Sequence, residues 1–162
     1  RDFGLNTDGP RLALNGPYTL AIDMVGSCAL SSAVQHRTYD AMLTTTGTLV
    51  EVALTEPRFN LDPAGKGSRF TGRLLGGGAT FTLDYWGDGY WYDYQYPNLV
   101  ERLSDNTNLV VEGNATTTGT AAGLSGTLNG AFTQWGSQFP SLSASYIGGC
   151  YSNVAQFRLT PR

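Results

Sequence analysis

An all-β fold, closed as a single antiparallel barrel of about eight to ten strands in mostly up-and-down order, is what this sequence predicts. Three observations carry the prediction. Apolar and polar residues alternate with period two through nearly every segment, as half-buried antiparallel strands require. Clusters of Gly, Asn, Asp and Pro separate those segments at short spacing. Glycines recur at core-facing strand positions, where they let strands coil and backbones approach closely. A two-sheet β-sandwich is the alternative arrangement of the same strands.

Residues 1–16, "RDFGLNTDGPRLALNG", precede the first clear strand and are read as an N-terminal arm, with 17–162 as the barrel. The arm either drapes over the surface or is donated to a neighbouring copy as an added strand. "PYTLAIDMV" (17–25) places Tyr18, Leu20, Ile22 and Met24 on one face. "CALSSAVQHR" (28–37) can hold a helical turn, with His36 exposed at a strand start. "TLVEVAL" (48–54) sets Val50, Val52 and Leu54 against Glu51. "SRFTGRLL" (68–75) turns Phe70, Gly72 and Leu74 inward and Arg69, Thr71 and Arg73 outward. "ATFTLDYW" (79–86) alternates Phe81, Leu83 and Tyr85 with Thr82, Asp84 and Trp86. "PNLVERL" (97–103) can hold a second helical turn. "NLVVEGNA" (108–115), "GLSGTLNGAF" (123–132) and "AQFRLT" (155–160) supply the last strands.

Residues 85–96 read "YWGDGYWYDYQY", and seven of these twelve side chains are Tyr or Trp. Asp88-Gly89 is the preferred centre of a two-residue type I′ hairpin turn. Counting outward, Trp86 faces Trp91, Tyr85 faces Tyr92, Asp84 faces Asp93, Leu83 faces Tyr94, Thr82 faces Gln95 and Phe81 faces Tyr96. One face is then Phe, Leu and Tyr, suited to a core. The other carries Asp84, Trp86, Trp91 and Asp93. Two carboxylates directly opposite on a sheet repel each other. Arg69 and Arg73 on the preceding strand are structural partners that would offset the repulsion. A sugar would use the same residues differently, its rings stacked on Trp and its hydroxyls bonded to Asp. A calcium ion at Asp84, Asp88 and Asp93 and an assembly interface are the further readings of this face.

The formal net charge is −3 and Lys66 is the only lysine, so no basic face for nucleic acid is expected. No apolar run reaches the roughly 18 residues of a membrane helix. No cofactor motif is present, and "LGGGAT" (75–80) joins two strands rather than opening a helix. His36 is the only histidine and no G-x-S-x-G elbow accompanies it. Asn114-Ala115-Thr116 matches the N-glycosylation sequon. Cys28 and Cys150 fit no metal spacing. They are expected to form an extracytoplasmic disulfide that pins the first and last strands, the alternative being two buried thiols. A chain that begins at Arg1 is read as a processed or trimmed form, with a removed signal peptide as the expected leader.

The "YTLAIDMVGSC" opening, "GSRFTGRL", "LSGTLNGAF" and a Cys followed by a final "FRLT" strand together resemble small secreted bacterial β-barrel domains of unknown function, with a lipocalin- or avidin-like closed meander. The G-x-W of lipocalins is absent. The resemblance implies the fold and a secreted or cell-surface location, and no site residues.

The expected function is non-enzymatic: an extracytoplasmic structural or binding module, with carbohydrate or another surface ligand taken by Asp84, Trp86, Trp91 and Asp93. One alternative is a subunit of an extracellular filament or homo-oligomer, using the arm and the aromatic hairpin. The other is a small hydrolase using Asp84 and Asp93, or Glu51, Glu101 or Glu112, as paired carboxylates.

Overall fold

The computed structural model describes residues 14–25, 28–59, 67–83, 99–136 and 145–162. Its strands are β1 (Gly16–Asp23), β2 (His36–Thr46), β3 (Leu49–Leu54), β4 (Arg69–Leu75), β5 (Gly78–Thr82), β6 (Leu99–Ser104), β7 (Thr107–Thr120), β8 (Gly123–Gly136) and β9 (Tyr146–Pro161). A single helical turn, α1 (Ser32–Gln35), precedes β2, and a 3-10 turn, Pro57–Phe59, follows β3. Hydrogen-bonded neighbours run β5-β4-β3-β2-β1-β9-β8-β7, and β5 pairs with β7 to complete the ring. Every pairing is antiparallel, so this is a closed eight-stranded barrel with β6 as one extra strand. Closure removes the open edges that a sandwich would leave to be guarded.

The period-two readings of β1, β3, β4 and β8 hold residue by residue. Tyr18, Leu20, Ile22, Val50, Val52, Phe70, Leu124, Leu128 and Phe132 are buried, and Glu51, Arg69 and Arg73 are exposed. Across the interior, Phe157 of β9 meets Phe81 of β5 at 5.5 Å and Phe70 of β4 at 6.3 Å between ring centroids. These three rings therefore pack together in the interior between β4, β5 and β9. At Gly126 and Gly130 an added Cβ would run into the carbonyl oxygens of Thr116 and Glu112 on β7. These inward glycines are where β7 and β8 pack backbone to backbone.

In place of the helical turn expected within 97–103, the chain from Leu99 on is strand: Leu99–Ser104 is β6. Leu99 and Glu101 are buried on one face, while Val100 on the other is buried with Val110 against Trp135. Cover on both faces erases the apolar/polar alternation that would have marked a strand. β9 is also far longer than 155–160. Its first half carries glycines at 148 and 149 and two register shifts, which disguise the period.

β5 and β6 lie end to end along the same edge of β7. Thr82 is opposite Asn114, the Leu83 amide donates to the Gly113 carbonyl at 2.7 Å, and Leu99 is opposite Val111. β5 and β6 thus occupy successive stretches of one edge of β7. The change of partner along β7 falls on a line of bends. Gly113, with φ of +139°, is opposite Gly130, and Gly130 is opposite Ser152, where β9 carries an extra residue. Beyond that line β6 and the adjoining halves of β7, β8 and β9 continue the sheet as an extension, and the start of β6 is also bonded to the residues before β4, Leu99 bridging Ser68 and the Val100 amide donating to the Gly67 carbonyl at 2.8 Å.

The disulfide joins Cys28 to Cys150, with Cα atoms 4.6 Å apart. Cys150 lies inside β9 rather than before it. β1 and β9 pair as far as Asp23 and Gln156, and the disulfide adds a covalent link between Cys28 and β9 beyond that pairing. The bridge therefore extends the seam between the first and last strands and places Cys28 beside the edge of β9.

Candidate functional site

The four ligand candidates, Asp84, Trp86, Trp91 and Asp93, lie outside the described residues, as does Asp88. What the structure places is their frame. The described residues on either side of 84–98 both lie along β7: Leu83 bonds Gly113, and Leu99 is opposite Val111. The hairpin pairing read from the sequence does not reach back into β5. Phe81 and Thr82 have both edges occupied, by Gly72 and Thr71 of β4 and by Ala115 and Asn114 of β7. Phe81 and Leu83 are buried and Thr82 is exposed, so the expected sorting of faces holds there. Arg69 is 3.4 Å from Glu51, and Arg73 donates to the Thr48 hydroxyl at 3.4 Å.

The strand on which the segment returns carries the strongest polar cluster among the described residues. Glu101 points inward from β6 and is 1% exposed. Arg37 Nε donates to its Oε1 at 3.0 Å, and Arg37 Nη2 pairs with its Oε2. Arg58 Nη1 donates to Oε2 at 2.9 Å, and the Tyr39 hydroxyl donates to Oε1 at 2.9 Å. Tyr39 and Arg37 alternate inward at the start of β2. Arg58 comes from the 3-10 turn, where its guanidinium lies 5.1 Å from the Tyr39 ring centroid and also donates to the Thr38 carbonyl at 2.8 Å. Phe59 closes the cluster edge-on to Tyr39, at 5.1 Å between centroids.

An isolated buried carboxylate is strongly penalised, and four donors compensate Glu101. Both of its oxygens are engaged twice, so the group is committed as an anion clamp. The clamp ties β6, and with it the return point of residues 84–98, to β2 and the 3-10 turn. Sequence reasoning named Glu101 only as a carboxylate. The available signal was its register: in "LVERL" it shares the inward face of Leu99 and Leu103.

Burial pushes the Tyr39 hydroxyl well above its ordinary range, and the Glu101 charge beside it adds to the rise. The folded protein then holds a proton that the unfolded chain releases near pH 10. Stability from this group is complete below pH 10 and falls as pH rises toward the elevated folded value. Alkaline unfolding followed by circular dichroism is expected to show this loss, and Tyr39→Phe to flatten it. At neutral pH the same substitution should cost about 1.5–3 kcal/mol, the loss of one hydrogen bond to a charged group.

His36 begins β2, is exposed, and lies 3.0 Å from Asp23. Asn114 of the sequon is exposed on β7. Among the described residues no helix is long and apolar enough to cross a membrane.

No family model, curated protein or solved structure matches this chain.

A second surface was not singled out from the sequence. On the outer side of the extension, Tyr146 and Tyr151 of β9 are 59% and 65% exposed. Trp135 of β8 meets Tyr146 edge-to-face at 5.4 Å, and its indole N–H donates to the Thr133 hydroxyl at 2.9 Å. The Tyr151 hydroxyl donates to Asn129 Oδ1 at 2.6 Å.

Proposed function

We propose that the protein is a non-enzymatic, extracytoplasmic binding module that carries its ligand on residues 84–98. The observation supporting this reading is the placement of β5 and β6 on successive stretches of one edge of β7. The Tyr-, Trp- and Asp-rich residues 84–98 are joined at both ends to that one wall. Binding residues are commonly mounted on segments of this kind, held by a scaffold that does not itself change. The Phe70, Phe81 and Phe157 rings packed together inside the barrel favour a surface site over a ligand in that part of the interior. The disulfide favours an oxidising compartment.

The side chains on that segment suit carbohydrate. Trp86 and Trp91 offer flat apolar rings for sugar C–H faces, and Asp84 and Asp93 accept hydrogen bonds from hydroxyls. Binding on a glycan array is the expected result for the wild type, with signal weakened in a Trp86→Ala/Trp91→Ala double variant that keeps its thermal midpoint. An array on which the wild type gives no signal would remove the carbohydrate reading.

A further inference from the structure

We propose a second carbohydrate subsite, for neutral oligosaccharide, on the outer face of β8 and β9, built from Trp135, Tyr146, Tyr151 and Asn129. The proposal rests on the carbohydrate reading above and adds a site that residues 84–98 do not contain.

Register places these groups on one surface. Phe132 and Cys150 are opposite each other on the inner side, so the alternate positions face out. Those are Ala131 opposite Tyr151, Thr133 opposite Gly149, and Trp135 opposite Tyr146. The small residues keep the face low between the rings. Gly149 is essential to this, because an added Cβ would stand 2.9 Å from the Tyr146 hydroxyl. Tyr146 therefore lies back along β9 over Gly149, toward Tyr151.

The rings are held rather than free. Tyr146 is braced edge-to-face by Trp135, and Tyr151 is tethered to Asn129. Ordering before binding lowers the entropy lost on contact. Each ring still exposes more than half of its surface. From residue 146 to 151 the strand covers roughly 13–16 Å, longer than one sugar ring. That span fits an oligosaccharide better than a monosaccharide.

Charge selects the ligand class. Residues 123–136 and 145–157 contain no Asp, Glu, Lys or Arg. The nearest charges on the same outer face are one of each sign on the flanking strands, Glu112 opposite Ala131 and Arg102 opposite Asn108, so neither an acidic nor a basic polymer meets a field of countercharge. A neutral glycan needs none: its C–H faces stack on Tyr146 and Tyr151, and its hydroxyls bond the amide of Asn129 and the phenolic oxygens. The Asn129 carbonyl is already engaged by Tyr151, which leaves its NH2 as the donor.

The test uses native affinity electrophoresis of the full chain in gels containing a neutral β-glucan, a neutral galactomannan or anionic alginate. The variants are Tyr146→Ala/Tyr151→Ala and, separately, Trp86→Ala/Trp91→Ala. Both tyrosines are largely exposed, so the first variant is expected to fold; an unchanged circular dichroism melt checks this. The expected result is retardation by at least one neutral polymer and none by alginate. Loss of the two tyrosines should weaken that retardation by about tenfold or more, with part of it surviving loss of the tryptophans. Wild-type retardation by the tyrosine variant, with loss in the tryptophan variant, would overturn the second subsite and leave the first reading standing. Retardation of the wild type by no neutral polymer would remove both. A wild type that is dimeric by light scattering and becomes monomeric in the tyrosine variant, with no change in glycan retardation, would overturn the subsite and assign the face to self-association.

Discussion

Replacing Glu101 by alanine is expected to lower folding stability by about 3–5 kcal/mol, the cost of removing one partner from a buried ion pair. The loss comes from what remains. Arg37 and Arg58 would keep their charges, with side chains only 18% and 30% exposed, and Tyr39 would keep a buried hydroxyl without its acceptor. That residual exposure lets water take up some of the charge, so the lower end of the range is expected. Glu101→Gln keeps the shape and one acceptor oxygen, and should fall between wild type and alanine. Removing Arg58 alone should cost less, because Arg37 still engages both carboxylate oxygens. Urea unfolding with an unchanged slope checks the ranking, and a shift below about 1 kcal/mol for Glu101→Ala would show that the cluster is not a clamp.

The same substitution carries a functional consequence. β6 is the strand on which residues 84–98 return, and Glu101 is what ties it to β2 and the 3-10 turn. At temperatures where the Glu101→Ala barrel remains folded, amide exchange in β6 should rise, and any glycan binding that depends on Trp86 and Trp91 should weaken with it. The barrel strands opposite, β3 and β4, should retain their protection.

How far this was legible depends on the distance over which each feature is written. β1, β3 and β4 each bury one face and wet the other, so the period is visible within a few residues. β6 was misread because Leu99 and Val100 are both buried, on opposite faces, by different neighbours. β9 was read short because bulges and paired glycines break its alternation where the sheet bends. The aromatic segment stood out by composition, but nothing local reveals that the chain resumes on the line it left. That fact lies in the register of β7, which pairs first with β6 and then with β5. The clamp was harder still, since its partners are 43, 62 and 64 residues from Glu101. The Tyr146 and Tyr151 surface was hidden for a related reason: Trp135 and Asn129, which brace the rings, belong to the neighbouring strand.

Breaking the Cys28–Cys150 bridge, by Cys28→Ser/Cys150→Ser or by reduction, is expected to cost roughly 4–5 kcal/mol. The sequence separation of 122 residues sets that figure, since the loop closed in the unfolded chain spans most of the protein. The position of the bridge adds a local effect. β1 and β9 pair only as far as Asp23 and Gln156, so the first half of β9 is held at that edge by Cys28 and the residues after it. Leu30, part of the core, comes within 3.6 Å of where a Gly148 Cβ would stand, so the segment after Cys28 packs on the inner face of this half of β9. Reduction should therefore act in two steps that differ in place. Amide protection in residues 146–151 should fall first, together with any glycan binding that uses Tyr146 and Tyr151. The barrel half of β9, from Gln156 to Pro161, should stay protected until global unfolding, because β1 and β8 pair with it on both sides. Non-reducing and reducing thermal melts measure the global term, and hydrogen exchange separates the two halves of the strand. Uniform loss of protection along the whole of β9 would mean that the bridge acts through the unfolded chain alone.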